Sequence, residues 1–237
     1  MIKNTEMDDW DSASGKEVTM IGMNHDCMQR MSVFMAAATV FLTASLTSTA
    51  AETDIAAQAG VSDYIIQTVT EAYDTLPAEV KSALADHGTN IQILTNGDRI
   101  DGNDGITYLT ATKDTDGYFI WNGGAEIYIN GSIHDDEAQR AFIHEVGHWI
   151  DAYVGEIINL PGLSSDKVSD VSSNTADFME IYDMEKDKSG WWSYFTTSTS
   201  EYYAESFRLY QTNPAELKAN QPLTYEYIKN DISLIVE

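Results

Sequence analysis

Residues 144–148 read His-Glu-Val-Gly-His. Two histidines four positions apart share a face only if the stretch is helical, where one turn separates them. So placed, both imidazoles can grip a single zinc ion. Glu145 lies beside them, where a carboxylate can act as general base toward a water. The plain alternative is a surface helix with two unrelated histidines. The flanking sequence predicts a helix over residues 135 to about 154, with Phe142, Val146, Trp149 and Tyr153 in one apolar stripe joined by Ile143 and Ile150. His144 and His148 fall off that stripe, with Ala141 and Asp151. The helix is therefore expected to bury one side and show its histidines on the other.

Ahead of this helix, residues 63–75 and 77–86 read as two further helices, the second with proline near its start and Gly88 after its end. Short alternating runs follow at 91–94, 106–109, 118–121 and 126–129, separated by Gly- and Asp-rich clusters. They predict a small, mainly antiparallel sheet. Residues 98–105 hold enough carboxylates to raise calcium binding. They lack the closing Glu of an EF-hand loop, and a turn rich in Asp and Gly is the better reading. Beyond residue 154 the chain is expected to be mostly helical, with a polar stretch at 161–175 and a loop at 188–200.

The chain has 237 residues, 43% of them apolar and 22% charged, which suits a globular domain rather than a disordered chain. Its 38 acidic and 13 basic residues leave a net charge of -25. That excludes a nucleic-acid partner, because phosphates would be repelled. Residues 31–46 form an uncharged apolar run after Arg30, too short to span a membrane. Small residues follow it, so residues 1–50 are read as a secretory signal cleaved at Ala50 or Ala51. The thirty residues before the run are long and acidic for a signal, which puts the true start at Met23 or Met28. Cleavage would leave residues 51–237 as one extracellular domain, a monomer with no stable membrane insertion. Cys27 is the single cysteine, so no internal disulfide helps that domain fold.

A catalytic zinc ion takes three protein ligands and keeps a place for water. A third ligand in an H-E-x-x-H-x-x-G-x-x-H pattern fails here, since those last positions are Asp151 and Val154. A glutamate on a separate helix is the other route. The best candidate run is Glu201-Tyr202-Tyr203-Ala204-Glu205-Ser206-Phe207, with Glu201, Ala204, Glu205 and Arg208 on one side.

These two segments carry a resemblance. His144-Glu145-Val146-Gly147-His148-Trp149-Ile150-Asp151, followed by Tyr153 and Gly155, is similar to the zinc helix of the anthrax lethal factor catalytic-domain family. Residues 201–210 are similar to that family's E-[FY]-[FY]-A-E-[AS]-F segment. Both segments recur in the secreted Pro-Pro endopeptidases, as does the tail Leu217-Lys218-Ala219-Asn220-Gln221-Pro222 with Thr224-Tyr225 and Tyr227-Ile228. The resemblance covers residues 135–237. It implies an α+β, zincin-like metalloprotease fold with one Zn2+ held by His144, His148 and Glu201. It also implies catalytic roles for Glu145 and for Tyr194, which stands seven residues before Glu201 and can donate a hydrogen bond to the developing oxyanion. Tyr194 has a second reading, as a member of an aromatic cluster with Trp191, Trp192 and Phe195. Glu205 either supports a liganding imidazole or pairs with Arg208 on the surface. In a rival assignment Glu205 is the ligand and Glu201 the support.

The function so implied is a secreted zinc endopeptidase acting on an extended peptide, laid against an edge strand near residues 126–129. Pro-Pro endopeptidase likeness points to proline-rich surface proteins, and lethal factor likeness to a host protein and a toxin role. A catalytically silent binding module and a structural component of a spore coat or surface layer are the readings from other classes.

Overall fold

The computed structural model describes residues 53–95, 99–101, 108–110, 116–121, 125–157, 171–188, 190 and 193–235, with backbone alone at 99–101, 108–110 and 193. The signal-like segment at 1–50, most of the Asp-rich run at 98–105, the stretch 158–170, Trp191 and Trp192 lie outside them. Residues 49–237 make one compact unit.

Strand β1 (Ile55–Ala57) leads into helix α1 (Asp63–Thr75). Ser62 starts that helix by accepting the Ile65 N–H on its hydroxyl at 3.3 Å. Ile65, Val69 and Ala72, at helical spacing, form the buried side. Helix α2 (Ala78–Asp86) follows Pro77 and stops at His87. Gly88 then turns at φ +69°, a backbone that L side chains resist, and the Thr89 N–H returns to the Leu84 carbonyl at 2.9 Å.

Two helices thus separate β1 from β2 (Asn90–Leu94), and a crossover of that length lets the strands run parallel. After a separate antiparallel pair, β3 (Arg99–Asp101) and β4 (Tyr108–Thr110), come β5 (Gly117–Trp121) and β6 (Ala125–Asn130). The main sheet has the order β1-β2-β6-β5. Strand β6 pairs parallel with β2, and β5 antiparallel with β6, setting Gly117 opposite Ile129.

The α+β class is as expected, but the strand directions differ in part. Two of the four pairings are parallel. Strand β1, too short for alternation to register, accounts for one of them by entering the sheet ahead of both helices; the other arises because β6 returns beside β2 with its antiparallel partner β5 on the outside. Arg99–Asp101 is strand where a turn was expected. The segment 126–129 is not an edge either: β6 is bonded on both sides, and β5 is the edge on that side of the sheet.

The helical half begins with α3 (Asp135–Ile157), whose first turn carries Asp135, Asp136 and Glu137 against the positive helix end. Phe142, Val146, Trp149 and Ile150 enter a core shared with Ile65, Val69, Ile91, Ile93, Ile127 and Ile129. A short 3-10 turn (Ser172–Asn174) precedes α4 (Ala176–Glu185), another (Lys186–Lys188) follows it, and a third, Ser193–Thr196, precedes α5 (Thr199–Thr212). Helices α6 (Pro214–Asn220) and α7 (Pro222–Leu234) each open on proline. Among the described residues no helix is long and apolar enough to cross a membrane.

One expectation about α3 is overturned. Its histidine side does not face water, because α5 packs along it. His144, Glu145 and Asp151 are all buried. The contact depends on Gly147: a Cβ there would lie 2.7 Å from Ala204 Cα and 2.8 Å from its carbonyl oxygen. The two backbones meet where a side chain would stand. Gly147→Ala should therefore destabilise the fold by about 1–3 kcal/mol in urea unfolding, the usual cost of an overpacked methyl. A variant as stable as wild type would show that α3 and α5 do not meet there.

Candidate active site

The Gly147–Ala204 contact sets the first turn of α5 against His144 and His148. That turn is fixed by Ser198, whose hydroxyl accepts the Glu201 N–H at 3.1 Å. The two imidazoles stand 4.9 Å apart by ring centres, nearly perpendicular. Glu201 Oε2 lies 3.2 Å from His144 Nε2 and 3.7 Å from His148 Nε2. One donor atom from each of the three residues falls within 4.8 Å of the others. Ligands bonded tetrahedrally to a zinc ion at about 2.0–2.1 Å stand about 3.3 Å from one another. The donor set, two imidazoles and a carboxylate, is also one that zinc takes, so the residues fit such an ion.

Charge tells the same story. Burial works against a charged His144, yet its contacts with Glu201 and Glu205 outweigh it and raise the imidazole pKa to about 9. Burial opposes ionisation of Glu201 too, but the two histidines hold it well below the carboxylate range. His144 thus keeps its proton beside Glu201 and Glu205.

Glu145 is buried, which pushes its carboxyl pKa up, against the pull of His148 and His144. Its carboxylate lies under the start of β5: a Cβ on Gly117 would come 2.9 Å from both Glu145 Cγ and Oε1. Sequence reasoning placed Gly117 only in a turn, and no local pattern distinguishes a turn glycine from one that leaves space for a distant side chain.

Tyr194 donates its hydroxyl to Glu201 Oε1 at 3.1 Å, so it reaches the same carboxylate as the histidines. Partial burial, then the charge of Glu201, push its pKa up to about 12, which keeps the phenol protonated. Of the expected aromatic cluster only Phe195 is described, and its ring centre lies 5.5 Å from that of Tyr194 and 5.6 Å from that of His144. Glu205 contacts both His144 and Arg208, but it is buried rather than on the surface. Its Oε2 lies 3.5 Å from His144 Nδ1, and Arg208 clasps the carboxylate with two nitrogens at 2.9 and 2.7 Å. Glu201 faces the Nε2 atoms of both histidines, and Glu205 faces only the far side of one. The geometry favours Glu201 over Glu205 as the third ligand.

The family described as "Anthrax toxin lethal factor, N- and C-terminal domain" matches residues 58–231. The chain belongs to that family. The lethal-factor match reaches back to α1 and the sheet, well before residue 135, where the motif likeness begins. The lethal factor of Bacillus anthracis is 33% identical over 101 residues, which are 41% of this chain and 12% of that protein. The chain therefore spans a small part of that much longer relative. A solved structure, the Pro-Pro endopeptidase PPEP-2 from Paenibacillus alvei, superposes with a TM-score of 0.48 and 19% identity, over 74% of this chain and 96% of that one.

The raised His144 pKa has a consequence for stability. The folded, metal-free protein binds a proton that the unfolded chain releases near pH 6.5, and loses it only through about pH 9. The stabilisation is complete below pH 6.5 and falls as pH rises through 9. Buried Asp151 and Asp231, with pKa values of about 6 and about 7, have ionised before the upper part of that range. Thermal unfolding in chelator should thus show stability declining between pH 7 and 9, with a flatter profile in His144→Gln. Equal slopes in the two proteins would contradict the charge assignment.

Proposed function

We propose that this chain is a secreted zinc-dependent endopeptidase that cuts an extended peptide, with His144, His148 and Glu201 holding one Zn2+. The observation that carries this reading is the meeting of three donor groups, from segments 57 residues apart, beside a buried carboxylate and a phenol hydroxyl. A zinc ion held there would supply Lewis acidity, polarising the scissile carbonyl and easing ionisation of water. Glu145 takes the proton of the attacking water onto its carboxylate and returns it to the leaving amine. Burial suits it to that exchange, because desolvation raises its pKa and makes the carboxylate a stronger base toward water. Tyr194, protonated throughout the neutral range, donates its O–H to the oxyanion that forms as the carbonyl is attacked. The peptide adds itself to edge strand β5, beside Gly117, by backbone pairing.

Membership of a family that spans both an amino- and a carboxy-terminal domain of lethal factor leaves room for a silent binding module. A module that only binds has no use for Glu145 and Tyr194 beside a complete donor set. That favours the enzyme. Secretion rests on the signal-like segment at residues 1–50. The substrate is a protein from outside the producing cell or on its surface, and proline-rich segments are the first to try.

Two results would test the reading. Glu145→Gln should keep its zinc and fold and lose at least about 100-fold in peptidase activity on a peptide library that includes proline-rich sequences. Undiminished turnover in that variant would remove the mechanism. Metal analysis should show zinc lost in Glu201→Ala and retained, more weakly bound, in Glu205→Ala; the opposite pattern would exchange their roles.

A further inference from the structure

The two histidines are not supported alike. His144 turns its Nδ1 toward a carboxylate directly, at Glu205. His148 turns its Nδ1 toward a hydroxyl, Ser200 Oγ, at 3.1 Å. Ser200 in turn donates to Asp151 Oδ2 at 3.3 Å. Asp151, fully buried, also receives the Ser173 N–H on Oδ1 at 2.6 Å and the Ser173 hydroxyl on Oδ2 at 2.7 Å. The chain joins three elements: α3 carries His148 and Asp151, the Ser172–Asn174 turn carries Ser173, and α5 carries Ser200.

We infer that Ser200 and Asp151 are positioning residues of the metal site, forming a directed chain that fixes the tautomer and ring angle of His148. The inference rests on the metal-site reading proposed above. Its logic is donor counting. Three donors converge on Asp151, and an ionised carboxylate accepts all of them. The Ser200 hydroxyl proton is therefore committed to Asp151, and what Ser200 offers His148 is a lone pair. Nδ1 must then be the protonated nitrogen, which leaves the Nε2 lone pair facing Glu201 and free to bind a cation. Spacing makes the arrangement economical. Asp151 follows His148 by three residues on one helix, and Ser200 precedes Glu201 by one on the other. The helix contact that delivers the third donor thus delivers the support for the second.

A purely structural role is open to Asp151, since it ties the Ser172–Asn174 turn to α3. The test therefore centres on Ser200, whose removal leaves both Ser173–Asp151 contacts in place. Zinc affinity of the full chain would be measured by chelator competition, with thermal unfolding of the metal-free protein alongside. Ser200→Ala should bind zinc about 10–100-fold more weakly, the usual loss when such a partner is removed, without change in the metal-free unfolding temperature. Ser200→Thr, which keeps the hydroxyl, should recover most of that affinity. Ser200→Ala binding zinc as tightly as wild type would overturn the inference, as would Ser200→Thr as weak as Ser200→Ala. A folded wild-type protein that takes up no zinc would instead overturn the metal-site reading beneath it.

Discussion

The structure turns on the place where α3 and α5 touch backbone to backbone. Gly147 lies between His144 and His148, so the point of closest approach falls within the histidine turn itself. Helices with ordinary side chains at the contact pack 8–10 Å apart. Removing one Cβ at Gly147, opposite Ala204, lets α5 close in until a glutamate in its first turn reaches both imidazoles. The middle of His-Glu-Val-Gly-His is therefore a packing element as much as a spacer. Ser198 completes the geometry, because a helix that frayed at its start would carry Glu201 away with it.

Burial of that contact explains the electrostatics. Three glutamates and two histidines are drawn together largely out of water, where like charges repel strongly and unpaired ones are costly. The metal-free site answers by holding a proton on His144. A divalent cation held there would answer the same need with one charge more.

How much of this was legible in the sequence depends on the range of the interaction concerned. The histidine pair was readable because helical spacing converts directly into a shared face, while Glu201 as third ligand and Tyr194 came from the resemblance of the 201–210 segment to the lethal factor family. Periodicity showed a small sheet beside a helical half, and the resemblance supplied the rest of the fold class. Strand β1 was not legible, since three residues show no alternation, and with it went one parallel pairing; the other, β2 with β6, joins strands far apart in sequence. The exposure of the histidine side was misjudged for a related reason: a polar stripe on a helix reads as solvent-facing unless a second helix is known to cover it. Gly117 and Asp151 were invisible as parts of the site. Their partners, Glu145 and Ser200, lie 28 and 49 residues away, and only the packed chain brings them together.

That last group also bears on whether the domain works as an enzyme or only binds. A module that merely held a cation for stability would gain from closing the site, with a fourth ligand or an apolar wall in place of Glu145. Here the carboxylate is kept, buried beneath a glycine at the rim of the sheet, where its protonated and ionised forms are brought closer in energy. Burying a carboxylate costs stability, and nothing in the core needs one at that position. The arrangement makes sense if the group exchanges a proton with something that enters along β5. Tyr194, by contrast, is half-exposed and spends its hydroxyl on Glu201.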